Sequence, residues 1–161
     1  MLKKFLCTVV VSLLFSCNND LIYSDFESTA NGKWQADDTI AFQFTGLDTL
    51  QHHDMFINIR NNDEFPFSNL FLITEMELPQ GQTTRDTLEF EMARPDGKWL
   101  GTGQGSIKEN KLWYKENIVF RDTGVYKVRV MHAMRKNGNV KGIEALEGIT
   151  DVGLTIEKSK R

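Results

Sequence analysis

Strict alternation of apolar and polar residues is the feature that most limits how this chain can fold. Leu88, Phe90 and Met92 alternate with Glu89 and Glu91, so that segment has one apolar face and one charged face. A period of two is typical of a half-buried β-strand, because successive side chains point to opposite faces of a sheet. The same alternation recurs in segments 40–44, 55–60, 126–130 and 152–156.

Two further segments complete the predicted set of strands. The continuous apolar run 70–73 predicts a central strand covered on both faces, and segment 113–120 predicts another strand. Turn sequences such as Pro79-Gln80-Gly81 separate the runs, and no stretch carries a helical stripe. The sequence therefore predicts an all-β fold, a single β-sandwich of about seven to eight strands, with the jelly roll among its candidate topologies.

The N-terminal segment has the features of an exported lipoprotein. Lys3 and Lys4 precede an uncharged apolar run, 5–15, which is shorter than the ~20 residues that span a bilayer. Residues 14–17, Leu-Phe-Ser-Cys, resemble a bacterial lipobox, in which the cysteine thiol carries diacylglycerol. We therefore expect a signal peptide over 1–16 and lipidation of Cys17. The alternative is an ordinary secretory signal that ends in a cysteine.

Cleavage would divide the chain into an anchor and one domain. We expect the lipidated cysteine and a polar tether, with room for one short strand, in 17–32. The β-sandwich is expected in 33–157 and a basic tail in 158–161. Because Cys7 leaves with the signal and Cys17 carries the lipid, no thiol remains for a disulfide, a thiolate metal site or a cysteine nucleophile.

Charge and sorting signals bear on location and partners. The mature chain has 17 basic and 22 acidic residues, a net charge near −5, which argues against nucleic acid as a partner. Asn18 follows the cysteine where inner-membrane lipoproteins of the best-known sorting system carry aspartate. We therefore expect a membrane-anchored protein of the cell envelope, held at the outer membrane.

The histidines are candidates for metal binding, and the tryptophans are candidates for sugar binding. We expect His52 and His53 to be solvated loop residues and His132 to be a structural strand residue, so no metal site is predicted. Three tryptophans could form a sugar-binding platform or fill the core, and core filling is favoured. Trp34 is the expected exception because it lies near the tether, and the Trp99 ribbon is the alternative carbohydrate site.

Catalytic patterns are lacking in the sequence. The Gly-x-Gly-x-Gly run at 101–105 lies between predicted strands, so it indicates close packing of backbone and not a phosphate-binding loop. No serine lies in a nucleophile elbow, and abundant Asp and Glu residues leave an envelope hydrolase open as an alternative. We predict no cofactor and no enzymatic activity.

Several distinctive sequence blocks follow one another in order along the chain. They are Asn58-Ile59-Arg60-Asn61, Phe65-Pro66-Phe67-Ser68-Asn69-Leu70-Phe71-Leu72, Asp86-Thr87-Leu88, Asp96-Gly97-Lys98-Trp99-Leu100-Gly101-Thr102-Gly103, His132-Ala133-Met134-Arg135 and Gly148-Ile149-Thr150-Asp151-Val152-Gly153-Leu154. Together these blocks resemble one protein family, the GldH gliding-motility lipoproteins of the Bacteroidetes.

The resemblance implies a non-enzymatic accessory of gliding motility that acts beside other envelope lipoproteins of the gliding and secretion machinery. It supplies no catalytic residues. Polar and aromatic members of the blocks are the candidates for a partner-binding surface. These candidates are Arg60, Asn69, Lys98, Trp99, His132 and Arg135.

Overall fold

Ten antiparallel β-strands make up the computed structural model, which describes residues 20–160. They are β1 (Leu21–Ser28), β2 (Lys33–Gln35), β3 (Ile40–Phe44), β4 (His53–Asn61), β5 (Asn69–Glu77), β6 (Thr83–Glu91), β7 (Lys108–Ile118), β8 (Tyr126–His132), β9 (Ala145–Glu147) and β10 (Ile149–Lys158). The all-β prediction is confirmed. Among residues 20–160 there is no helix of the length and apolarity needed to cross a membrane. The predicted signal peptide and Cys17 lie outside the described residues.

The two main sheets have four strands each. Their strand orders are β1-β10-β4-β7 and β3-β8-β5-β6, and the short strands β2 and β9 pair with each other. Four strand pairs enclose one another along the chain: β5·β6 lies between β4 and β7, which lie between β3 and β8, which lie between β1 and β10. The chain therefore has the order of one long hairpin whose strand pairs are divided between two sheets. This is the arrangement of an eight-stranded jelly roll. The two three-residue strands bring the total above the predicted seven to eight.

The core lies between the two sheets and follows the alternation of the sequence. Inward side chains of successive strands are buried, and each fully buried aliphatic or aromatic side chain contributes ~1.5–3 kcal/mol to folding. The core includes Phe42, Met55, Ile57, Ile59, Leu70, Leu72, Val128, Val130, Leu154 and Ile156. The apolar run 70–73 lies in β5, a central strand as predicted, but Phe71 and Ile73 on its outer face are only half-buried.

The expected tether and tail need correction at their boundaries. Residues 21–28, expected in the tether, form β1, which pairs along its length with β10. Lys158, expected in the tail, is the last residue of β10. The alternation signal is weak in β1 because it is an edge strand, held mainly by main-chain bonds to β10 with most side chains exposed.

The sandwich has two distinct ends. The tether end contains Asp20, the connections 45–52, 78–82 and 119–125, and residues 158–160. The loop end contains the segments 29–39, 62–68, 92–107 and 133–148. Strand β4 runs from one end to the other, and its nine residues at ~3.3 Å each span about 30 Å.

Candidate functional site

The loop end is held together by a backbone contact between its connections. Gly148 adopts a φ of 78°, and a Cβ atom at this position would overlap the backbone nitrogen of Phe65. The Gly148 carbonyl accepts a hydrogen bond from the Asn62 amide at 2.9 Å, and the Gly148 amide donates to the Gly32 carbonyl at 2.9 Å. Three connections that are far apart in sequence therefore meet at one glycine.

Phe65 and Trp99 link segment 62–68 to segment 92–107. The Asn62 side chain accepts a hydrogen bond from the Glu64 amide, which shapes the turn that buries the Phe65 ring. The Trp99 indole lies 6.1 Å from the Phe65 ring, centroid to centroid, and its N–H donates to Asp63 at 3.0 Å. The indole is half-buried and its N–H is already used, so Trp99 has a structural role at this end.

A buried amide network lies beneath these loops. The Asn110 side chain donates to the Ile59 carbonyl at 3.1 Å and to the Asn61 side-chain oxygen at 2.9 Å. A Cβ atom on Gly101 would lie 2.8 Å from the Asn110 side-chain oxygen. The predicted close approach of backbone is found at Gly103, where a Cβ atom would lie 2.9 Å from the Ile107 carbonyl oxygen. At Gly101 the neighbour is instead the buried Asn110 side chain.

Five of the six predicted surface residues reach the loop end with their side chains at least partly accessible. Arg60 donates to Glu109 at 2.9 Å, and its guanidinium lies 4.3 Å from the centre of the Phe26 ring. Asn69 donates to Glu89 at 3.0 Å on the other sheet. Arg60 and Asn69 therefore share an end but lie on opposite outer faces of the sandwich.

Lys98 and Arg135 are the exposed members of the candidate set. Lys98 lies in the turn after Asp96, whose side chain accepts a hydrogen bond from the Lys98 amide at 3.1 Å. Arg135 borders a cleft of about 480 Å³ that also contacts Asn69 and Phe71. These residues are available to contact another molecule.

A larger cleft of about 790 Å³ lies beside the Arg135 cleft. Phe67 and Ile143 contribute apolar walls, and Lys136 and Lys141 contribute charge at its rim. Lys141 is paired with Glu144, and that ion pair holds the pKa of the Glu144 carboxyl below its usual range. The cleft is open and mixed in polarity, a character that suits a protein segment better than a small apolar ligand.

His132 and His53 are both buried. His132 lies in β8 as the expected structural strand residue, with its ring edge-on to Trp34 at 5.4 Å, and its side chain is therefore not exposed with the other surface candidates. His53 was expected in a solvated loop, but it is buried in β4 against Phe120, also at 5.4 Å. Burial lowers the pKa of both imidazoles, because it disfavours the charged ring.

The alternation of the sequence predicts an inward side chain at both positions. His53 continues the inward alternation of Met55 and Ile57, and His132 continues that of Val128 and Val130. Neither ring makes a well-formed hydrogen bond to a described residue. Within residues 20–160, no three histidine, cysteine or acidic side chains are grouped to hold a metal ion.

The tryptophans also differ from expectation. Trp34, the predicted exception to core packing, is completely buried and donates its N–H to the Asp38 carbonyl at 2.9 Å. Trp113 is instead the exposed one, with 47% of its surface accessible. It packs on Phe56 with ring centroids 4.4 Å apart, on the outer face of the β1-β10-β4-β7 sheet. Alternation predicts this, because Trp113 lies between the inward Leu112 and Tyr114.

Comparisons with known proteins identify relatives along nearly the whole chain. The sequence model of the GldH lipoprotein family matches residues 21–156. The chain is 50% identical over 155 residues to the "Gliding motility lipoprotein GldH homolog" of Christiangramia forsetii, covering 96% of this chain and 94% of the relative. It is 45% identical over 146 residues to the "Gliding motility lipoprotein GldH" of Flavobacterium johnsoniae, covering 91% and 90%.

Among solved structures, the similarities are to viral capsid chains. One is the structure of infectious bursal disease virus Gx strain, with a TM-score of 0.38, 12% identity, and coverage of 88% of this chain and 34% of that chain. Another is the VP2 subviral particle of infectious bursal disease virus, with a TM-score of 0.35, 15% identity, and coverage of 87% and 30%. The chain spans about a third of each of these capsid chains.

Proposed function

Because the chain belongs to the GldH lipoprotein family, we propose that it is a lipid-anchored, non-enzymatic component of a gliding-motility apparatus in the cell envelope. Cys17 carries the acyl chains, and several chains together give stable membrane attachment where one alone is marginal. The domain at that anchor binds other lipoproteins of the gliding and secretion machinery, at the outer membrane.

The observation that carries the proposal is the convergence of the family blocks. Five of the six blocks, spread between residues 58 and 154, place residues at the loop end. Their buried members hold that end in one shape, as the contacts of Gly148, Phe65 and Trp99 illustrate. Lys98 and Arg135 are left exposed on the resulting surface. A rigid frame with exposed basic residues suits recognition of a protein partner.

Glu77 and Glu147 act in ion pairs on the surface. Ion pairing lowers the pKa of Glu77 beside Arg129 and Lys127, and that of Glu147 beside Lys33. A general acid of the glycosidase type needs the opposite shift, a carboxyl pKa raised by burial. These carboxylates are therefore suited to structural ion pairs.

The decisive experiment combines gene deletion with loss of the anchor in a gliding host. Deletion should abolish colony spreading, and the wild-type gene should restore it. Cys17→Ala should release the protein from the membrane fraction and should fail to restore spreading. Normal spreading of the deletion strain would refute the motility role, and a membrane-bound Cys17→Ala protein would refute the anchor. Density-gradient separation of the two membranes tests the outer-membrane location.

A carbohydrate-binding function is a second candidate, and Trp113 is the observation that favours it. Its exposed indole lies on a flat sheet face beside Lys111 and Glu157, which form an ion pair at 2.7 Å. An exposed aromatic ring next to charged groups can stack on a sugar. Titration with envelope glycans should detect binding that Trp113→Ala abolishes, with Trp99→Phe as the matched control. Absence of binding by the wild-type protein would eliminate this candidate.

A further inference from the structure

The tether end carries exposed apolar side chains that no described residue covers. Leu50 is 88% exposed, Leu21 is 48% exposed and Val125 is 47% exposed. An exposed leucine on its own is ordinary, but several at one end of a domain mark a contact surface.

Main-chain hydrogen bonds bring the segments of Leu21 and Leu50 together, and Val125 lies at the same end in the 119–125 connection. The Lys158 amide donates to the Asp20 carbonyl at 2.8 Å, and the Ser159 amide donates to the His52 carbonyl at 2.9 Å. The connection that carries Leu50 is therefore fixed beside the start of β1, which carries Leu21. The Asp48 side chain accepts a hydrogen bond from the Leu50 amide at 2.9 Å, a local turn that presents Leu50 at the tip of the connection.

The predicted anchor limits what can cover this end. Only Asn18 and Asn19 separate Cys17 from Asp20. At ~3.3–3.6 Å per residue, the link reaches at most about 11 Å from the lipidated cysteine. A domain held so closely must have its tether end at the bilayer surface, whereas Val140, 91% exposed at the loop end, lies about 30 Å away along β4.

We propose that the tether end docks on the bilayer itself, with Leu50, Leu21 and Val125 inserted among the lipid headgroups. The inference rests on the lipid anchor of the proposed function and goes beyond it, because it fixes the orientation of the domain. Docked in this way, the sandwich stands on the membrane and presents the loop end to the periplasm or to partner proteins.

Charge at this end favours apolar insertion over electrostatic adsorption. Lys160 is paired with Asp20 at 2.9 Å, and Asp48, Asp54 and Asp122 offset the exposed Arg121 and Lys158. The mature chain is acidic as a whole, with a net charge near −5. Docking should therefore not depend on anionic lipid.

The test uses the mature lipoprotein in vesicles with one environment-sensitive fluorophore. Because lipidation consumes the Cys17 thiol and Cys7 leaves with the signal, Leu50→Cys provides a single thiol for an NBD label. Val140→Cys, equally exposed at the loop end, is the matched control. In phosphatidylcholine vesicles, the label at position 50 should shift to shorter emission wavelengths and be quenched several-fold more by doxyl-labelled lipid than the label at position 140.

Each outcome separates docking from anchoring. A protein that floats with the vesicles but shows equal, water-like emission from both labels overturns docking and leaves the anchor intact. A protein that does not float with the vesicles would refute the lipid anchor. It would also remove the short link to the bilayer on which the docking argument depends. Quenching at position 50 that needs added phosphatidylglycerol would show electrostatic adsorption and would overturn apolar insertion.

Discussion

Gly148 lies directly against the backbone of Phe65, with a left-handed φ of 78° and no room for a side chain. We expect Gly148→Ala to lower the free energy of unfolding by about 3 kcal/mol or more, since it adds steric overlap to backbone strain. Gly138→Ala is the matched control, because Gly138 has a similar φ of 82° but nothing within 4 Å of the added Cβ. That variant should lose only about 1 kcal/mol. Urea unfolding of the detergent-solubilised lipoprotein measures both, and equal losses would contradict the proposed overlap.

The buried amide of Asn110 should contribute measurably to stability. Asn110→Ala removes the donor to the Ile59 carbonyl and to the Asn61 side chain, and both acceptors are left in a buried site. The expected loss is about 1–3 kcal/mol. Asn69→Ala, which breaks the more exposed bond to Glu89, should cost less than about 0.5 kcal/mol. Thermal unfolding of the two variants makes the comparison, and a reversed order would count against a buried network.

Acid should destabilise the protein through His53 and His132. Burial lowers the pKa of both imidazoles below the usual 6.5, so the unfolded chain binds more protons than the folded one when the pH falls below 6.5. Their contribution is therefore complete above about pH 6.5 and is lost progressively as the pH falls towards the lowered values. Tm should drop between about pH 7.5 and about pH 5, and the drop should be smaller in a His53→Leu, His132→Leu double variant.

A core substitution that changes no titratable group provides the control for that measurement. Ile57→Val should lower the Tm but leave its dependence on pH unchanged. If the double variant retained the full wild-type drop, groups other than the buried imidazoles would be responsible.

Charge reversal at the loop end should impair function without loss of stability. Lys98→Glu combined with Arg135→Glu should reduce restoration of spreading in a deletion strain, because both side chains are exposed at the proposed partner surface. The Tm should stay near wild type, since exposed substitutions change stability by only about 0.5 kcal/mol. Arg85→Glu, an exposed reversal within strand β6 and outside both end surfaces, should restore spreading fully. Full activity of the double variant would place the partner surface elsewhere.

Local alternation was enough to predict the fold class and most of the strands. Phe42 and Val130 lie on inward faces, as a period of two requires. Strand β1 was anticipated only as one short strand within the tether, because an edge strand need not bury alternate side chains. The buried setting of His53 was readable from its register with Met55, but the polar residue type and the neighbouring His52 favoured a loop.

The residues proposed for the candidate site could be chosen from the sequence. How the fold brings them together could not be predicted from it. Lys98 and Arg135 come from blocks recognisable in the sequence, and both are exposed at the loop end. The contact of Gly148 with Phe65 depends on which connections share an end of the sandwich, and no spacing along the chain encodes that. Trp99 is half-buried because its ring packs near Phe65 and its N–H donates to Asp63, in a loop distant in sequence, and no local pattern predicts that contact.

The position of β10 has a consequence for the order of events in export. This last strand of the chain lies between β1 and β4, so the first strand has no pairing partner until the C-terminal segment is present. Pairings between the two ends of a chain form slowly, because a long loop must close first. Under the proposed export, a chain that crosses a membrane from its N-terminus lacks this central strand until transport is nearly complete. The strand order itself would then delay folding until the whole domain has been transported.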